Sequence, residues 1–463
     1  MKSYTTINLI PADETLFYKN DLGITQIGDP FILKASDNMY YLYCTSAASG
    51  YYCWKSTDLV NWSGKKICYA RKSNSWGVDS FWAPEVVEYN NKYYMYYTAR
   101  NSDGSLRIGV ALSDQPDGPF QDVKNEPLFD LGYAAIDANV LIDNDGSKYL
   151  FFSKDCSENE INGIRKSESY GVALSDDMLS IEGEPILLIT PDQEWEMISV
   201  NPLWNEGPEV IVHNNTYYLS YSANFYADRS YSIGYATSSS PLGPYKKSEN
   251  NPILTSGTSK TISGPGHHSF TVSPDGSEIW MAYHTHTDPK TGGGNRKLNI
   301  DRVLFTDDGE LYMNGPTISS QPIPSDGSYT NLAAEAGITI KGTTSSLLTD
   351  GIFTLHQKDS RYDCILPIEN GTARVTLEFQ KPVPITDILV YRGSADSLDF
   401  SSVKAIFDDS SITEECLLSE NTDKRAAILS FPEQTATKVE LLLTPRDANK
   451  EISLSEIMVI KQN

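Results

Sequence analysis

Apolar and polar positions along the first two thirds of the chain follow one recurring phrase. A run of about five residues, apolar at alternate or successive positions, leads into a polar turn containing Asn, Asp or Gly, and a second run dense in aromatics follows. The phrase reads GDPFILKASDNMYYLYCTS from Gly28, APEVVEYNNKYYMYYTA from Ala83, DANVLIDNDGSKYLFFS from Asp137, NEGPEVIVHNNTYYLSYSAN from Asn205 and HSFTVSPDGSEIWMAYHTH from His268. Each is a β-hairpin by this pattern. Further strand-like runs come after each hairpin, from YYCWKSTDLVNW after the first to KLNIDRVLFTDDGELYM after the last, and no helical period intervenes. A four-stranded unit repeated about every 50 to 70 residues predicts a propeller of five blades around a common axis.

The pattern breaks at Pro316. Residues 316–328, PTISSQPIPSDGS, are rich in Pro, Ser and Gly and are predicted to form a linker. Beyond them GTARVTLEF, PITDILVYRG, ATKVELLLT and EISLSEIMVIKQ are short β-type runs between polar turns. The expected architecture is therefore all-β: a propeller domain over 1–315, the linker, and a small β-sandwich over 329–463. The sandwich segment, with NLA, TDG and SLSEIMV, resembles discoidin-like or carbohydrate-binding-module domains, which leaves bracing and sugar binding both open as its role.

A length of 463 residues also calls for two domains rather than one core. With 61 acidic against 37 basic residues the net charge is −24, which weighs against nucleic-acid and anionic-membrane partners but is indifferent to neutral glycans. The 28 tyrosines and 7 tryptophans suit stacking on sugar faces, although tyrosine-rich strands explain them equally. Six cysteines without a CxxC spacing read as buried free thiols. No run approaches the roughly 18 apolar residues of a membrane span, and the first residues lack a signal-peptide core. The expected location is the cytoplasm if residue 1 is the native start, and extracytoplasmic if a leader has been removed. The oligomeric state is open.

In a propeller the first strand of each blade lines the central channel, so residues near those strand starts face one another. The candidates are Asp29, Trp82 with Pro84 and Glu85, Asp137, Glu206 and His267. Acidic residues before strands can simply end turns. Three of them at one end of similar repeats point instead to paired carboxylates, desolvated together and with their pKa values driven apart, as acid–base catalysis requires.

The ordered series GDPF, FWAPEV, IDANV, NEGPEV and GPGHHSF resembles glycoside hydrolase family 43, five-bladed propellers that invert configuration as they cleave arabinose- and xylose-containing glycans. The resemblance spans roughly residues 20–315. It implies Asp29 as general base, Glu206 as general acid, and Asp137 as the residue that orients and tunes the acid. It further implies that Arg296 reaches the pocket and that His267 lies near the axis, beside a water-rich calcium site of structural or electrostatic kind; no organic cofactor is implied. Trp82 and Phe31 join His267 and Arg296 as expected substrate contacts. A charged Asp137 is expected to hold Glu206 protonated. His284 and His286, at i and i+2, share a strand face and could hold a transition metal.

The expected substrate is an oligosaccharide or polysaccharide, and the expected activity that of an exo-acting α-L-arabinofuranosidase, because the long segments Ala70 to Ser80 and Ser157 to Glu168 could wall a pocket. A β-xylosidase or an endo-1,5-α-L-arabinanase would use the same residues. A non-catalytic glycan-binding propeller is the alternative from another class, and the intact carboxylate set speaks against it.

Overall fold

The computed structural model describes residues 4–257, 260–354, 359–418 and 426–463. The chain forms two compact units. One comprises Asp21–Pro274 and Ile279–Pro316; the other comprises Met1–Asn20, Asp275–Glu278 and Thr317–Asn463.

The first unit is the expected five-bladed propeller. The inner strands of blades 1 to 5 are Thr25–Lys34, Asp79–Tyr89, Ala135–Ile142, Leu203–His213 and Gly266–Val272. Each pairs antiparallel with the aromatic strand that follows it, as the hairpin pattern predicts. The circle closes where Arg296 and Lys297 of blade 5 pair with Ile27 and Thr25 of blade 1. Apolar faces are buried between neighbouring blades: Tyr43, Tyr51 and Cys68 of blade 1 pack with Phe81, Met95 and Tyr97 of blade 2. Tyr96 and Ile108 of blade 2 pack with Leu150 and Phe152 of blade 3. Most tyrosines are thus structural, and Tyr43, Tyr51, Tyr97, Tyr221 and Tyr283 are completely buried. Trp76, in the first of the expected pocket walls, stacks on Tyr97 at 5.7 Å and anchors that segment in the core. Four cysteines are buried and free, while Cys364 and Cys416, also free, are half-buried.

The second unit is a β-sandwich whose core includes Val375, Ile388, Val403, Leu441 and Val459. Its long strands Ala373–Arg392 and Ala427–Pro445 pair antiparallel. The boundaries differ from those read in the sequence. Thr5–Ile7 run parallel to Ser411–Thr413, which draws the N-terminal segment out of the propeller and into the sandwich unit. The expected linker is not free either, since Gln321 and Pro322 pair with Tyr18 and Phe17 and are buried. Short polar composition marked this stretch as a connection but carries no sign of its strand partner. Among the described residues, no helix is long and apolar enough to cross a membrane.

Candidate active site

The five inner strands share one irregularity. Each carries a β-bulge near its start, between Gly28 and Phe31, Trp82 and Glu85, Ile136 and Asn139, Glu206 and Glu209, and Gly266 and Ser269. Within each bulge one residue has positive φ: Asp29 at 54°, Ala83 at 41°, Asp137 at 56°, Gly207 at 57° and His267 at 44°. A left-handed non-glycine residue costs about 1–2 kcal/mol and persists only where its surroundings hold it. Here the hold is a ring of hydrogen bonds from blade to blade. The bulge N–H of Ala83 donates to Thr45 Oγ1, that of Asp137 to Thr98 Oγ1, that of His267 to Ser222 Oγ and that of Asp29 to His284 Nδ1, at 2.8–3.2 Å.

Gly207 breaks this rule. Its N–H donates not to Ser153, the residue at the corresponding place in blade 3, but to Asp137 Oδ2 at 3.1 Å. The Ser153 hydroxyl is left buried without a partner among the described residues. The Asp137 carboxylate is therefore drawn to the backbone beside Glu206. The bulge also corrects the expected alignment of the three carboxylates. Asp29 and Asp137 occupy the bulge position itself, whereas Glu206 stands one residue earlier, in register with Gly28, Trp82, Ile136 and Gly266. Similar strand starts hid that offset, because a bulge changes which side chains face inward without changing the apolar pattern.

Asp29 and Glu206 have opposite surroundings. Asp29 Oδ1 accepts from Arg296 Nη1 at 2.8 Å and its Oδ2 from Thr45 Oγ1 at 2.6 Å. Burial pushes its carboxyl up, but the Arg296 guanidinium, with smaller help from His267, His284 and Thr45, brings it well below the usual carboxylate range. The two imidazoles are themselves pushed down by burial, so near neutral pH they are dipoles and Arg296 is the charge. Glu206 Oε1 accepts from the Tyr231 hydroxyl at 2.8 Å. Burial raises Glu206 to about 8; the Tyr231 bond opposes this, while Asp155 and Asp29 add repulsion. Asp137 is raised well above its ordinary value as well, by burial and then by Glu206 and Asp29. The expectation of a charged Asp137 acting on Glu206 is thereby revised: burial raises both carboxyls, Glu206 repels Asp137, and Asp155 and Asp29 repel Glu206.

Two glycines make room for these partners. A Cβ on Gly28 would lie 2.0 Å from Arg296 Nη2, and one on Gly266 would lie 2.2 Å from the Tyr231 ring. Gly28→Ala is therefore expected to push the guanidinium off Asp29 and lower kcat/KM by about tenfold or more, since one such charged hydrogen bond is worth about 1.5–3 kcal/mol. It should also move the acid limb of the pH–rate profile upward, which a purely structural defect would not do.

The remaining expected residues fall as follows. His267 is buried, with Nδ1 3.4 Å from Asp29 Oδ1. The Trp82 side chain is exposed. Phe31 sits beyond the bulge, in register with Glu85, Asn139, Glu209 and Ser269, and packs on the core between blades 1 and 2. In that lower tier Asn139 Nδ2 donates to Glu85 Oε2 at 2.9 Å and the Phe270 N–H donates to Glu209 at 3.1 Å. Burial raises both carboxyls, Glu209 to about 8.

His284 and His286 do not form a metal pair. His284 Nδ1 accepts the Asp29 N–H, and both nitrogens of His286 are engaged, by Ser263 Oγ and the Tyr226 carbonyl. Among the described residues no three His, Cys, Asp or Glu side chains converge as a metal site. Asp29, the carboxylate beside His267, is engaged by Arg296 and Thr45.

Tyr231, Thr45 and Asp155 went unnoticed in the sequence, where His284 stood only as a candidate metal ligand. Thr45, Ser222 and His284 have a signal there: all lie at or near the end of the second strand of their repeats, the place from which the bulges are held. Tyr231 and Asp155 have none.

Residues 18–311 match the model of the family described as glycosyl hydrolases family 43. The crystal structure of a thermostable family-43 glycoside hydrolase is 51% identical, with a TM-score of 0.65 over 67% of this chain and 100% of that one. The beta-D-galactofuranosidase xynD of Aspergillus niger is 29% identical over 292 residues, 59% of this chain and 78% of its own length. The alpha-L-arabinofuranosidase 43 of Humicola insolens is 27% identical over 390 residues, 79% and 78% of the two chains.

Proposed function

Because the chain belongs to glycosyl hydrolase family 43 and is an inverting glycoside hydrolase, we propose that Asp29 is its general base, Glu206 its general acid and Asp137 the residue that positions and tunes the acid. The observation that carries this reading is the opposite tuning of two carboxyls at one end of one channel: Asp29 held down beside Arg296, Glu206 raised to about 8 beside Asp137 and Asp155. An inverting hydrolase needs these two states at once. Glu206 delivers its proton to the glycosidic oxygen as the bond to the anomeric carbon breaks. Asp29 takes a proton from the water that attacks the opposite face, and the released sugar has inverted configuration. Arg296 keeps Asp29 ionised, and Tyr231 orients the Glu206 carboxyl.

The preferred substrate is a terminal α-L-arabinofuranosyl residue of an oligosaccharide or polysaccharide. The similarity to the arabinofuranosidase of Humicola insolens supports it. So does the hairpin at Glu160–Arg165, which stands beside the Glu206 strand through the pairing of Lys166 and Ser167 with Leu203 and Trp204. The similarity to a galactofuranosidase favours a second substrate. A β-D-galactofuranoside has the ring configuration of an α-L-arabinofuranoside and differs by a longer exocyclic arm. Nitrophenyl α-L-arabinofuranoside, β-D-galactofuranoside and β-D-xyloside, assayed side by side with the anomer of the first product followed by NMR, test the reading. Equal inertness toward both furanosides, or a retained anomer, would reject it.

The pH dependence follows from the same tuning. Glu206 must be protonated, so kcat/KM should hold through neutrality and fall as pH rises through about 8. The acid limb, set by Asp29, should lie below the ordinary carboxylate value of about 4. The Tyr231 hydrogen bond favours the charged form of Glu206, so Tyr231→Phe should move the basic limb upward, by up to about one pH unit for a bond worth ~1 kcal/mol. A downward shift would contradict the assigned role of the hydroxyl.

A further inference from the structure

On the Glu206 side of the site stands an apolar shelf that none of these roles uses. Trp204 precedes Glu206 by two residues in the same strand, so the two side chains leave by the same face. Asn205 between them turns the other way and accepts from Lys247 Nζ at 3.1 Å. The Trp204 ring lies 5.4 Å from that of Phe225, and Phe225 lies 4.9 Å from Tyr226. The Tyr226 ring in turn carries the Arg296 guanidinium at 4.8 Å. An unbroken aromatic ladder thus runs from the counter-ion of Asp29 to the strand of Glu206. Phe225 and Tyr226 are 36% and 37% exposed, and Ile198 nearby is 65% exposed.

The shelf is held in shape from behind. Asn224, with φ at 73°, donates from Nδ2 to the carbonyls of Trp195 and Ser230, and its Oδ1 accepts the Ile198 N–H at 3.3 Å. Glu196, fully buried, accepts from the N–H groups of Asp192 and Gln193, from Tyr221 and from Lys247. Rings fixed in this way and left open to solvent are preorganised for a flat apolar face.

We propose that Trp204, Phe225 and Ile198 form the subsite for the leaving-group sugar, whose C–H face stacks on the shelf. The inference rests on Glu206 being the acid. The acid meets the scissile oxygen, and the ring attached beyond that oxygen departs on the acid's side of the channel, where Trp204 stands. Asp29 and its water lie on the other face of the bond. The enzyme therefore selects a glycosyl residue joined to a further sugar, not merely a terminal pentose.

The test compares two substrates of the same glycosyl group: an arabino-oligosaccharide, which fills the shelf, and α-L-arabinofuranosyl fluoride, whose leaving group is too small to reach it. In Trp204→Ala and Phe225→Ala the ratio of kcat/KM on the oligosaccharide to that on the fluoride should fall about tenfold, the stacking of one ring being worth up to about that factor, mainly through KM. Trp204→Phe should restore most of the ratio. A ratio unmoved in both alanine variants overturns the subsite, and so does an equal loss on both substrates, which would report damage to the Asp29–Arg296 pair. A wild-type enzyme inert toward both substrates would instead remove the hydrolytic roles on which the subsite depends.

Discussion

Glu206→Gln is expected to lower kcat on an arabino-oligosaccharide by about 10²–10⁴-fold, the usual contribution of a positioned proton donor. The same variant should lose far less on a dinitrophenyl arabinofuranoside, whose leaving group departs without protonation. The amide keeps the size of the side chain and a hydrogen bond to Tyr231, so the difference isolates the proton. The basic limb near pH 8 should disappear with it, because the group that titrates there is gone. Equal losses on both substrates would show that Glu206 does not protonate the leaving oxygen.

Asp29→Asn should give the complementary result. Without a base for the attacking water, kcat should fall by about 10²–10⁴-fold on every substrate, whatever its leaving group. A second effect is structural. Arg296 loses the carboxylate it meets at 2.8 Å in a site where the arginine side chain is 10% exposed. Leaving a buried partner uncompensated costs up to about 3–5 kcal/mol. Thermal unfolding should therefore show a lowered Tm for Asp29→Asn but little change for Glu206→Gln, whose partner is a neutral hydroxyl. A stable Asp29→Asn protein with normal turnover of activated substrates would remove Asp29 from the base role.

The two variants are expected to separate because the two carboxyls are tuned by different means. Asp29 is controlled by a charge brought from blade 5, 267 residues along the chain. Glu206 is controlled by burial and by acidic neighbours from blades 1 and 3. Neither partner set is local. Motifs such as GDPF and NEGPEV therefore mark where the carboxylates are, while their protonation states emerge only when the blades close.

The repeat itself was plain in the chain. Alternation with a period of two, polar turns and aromatic second strands recur with enough regularity to specify five hairpins and an all-β fold, because side chains on a strand must alternate between faces. Less plain was the offset of Glu206 from Asp29 and Asp137, since a bulge inserts a residue without disturbing that alternation beyond it. The N-terminal strand Thr5–Ile7 was misplaced for a similar reason: so short a run carries too little pattern to name Ser411–Thr413, near the other end of the chain, as its partner.

Read alone, then, the chain specified its strands, its five-fold repetition and the carboxylates at the channel, because period and turn chemistry are local properties. Tertiary structure alone decided which carboxyl keeps its proton and which surrenders it. It also decided where Trp204, Phe225 and Tyr226 gather beside the acid. Desolvation and Coulomb interactions depend on distances across the ring of blades, and those are set only once the ring is closed.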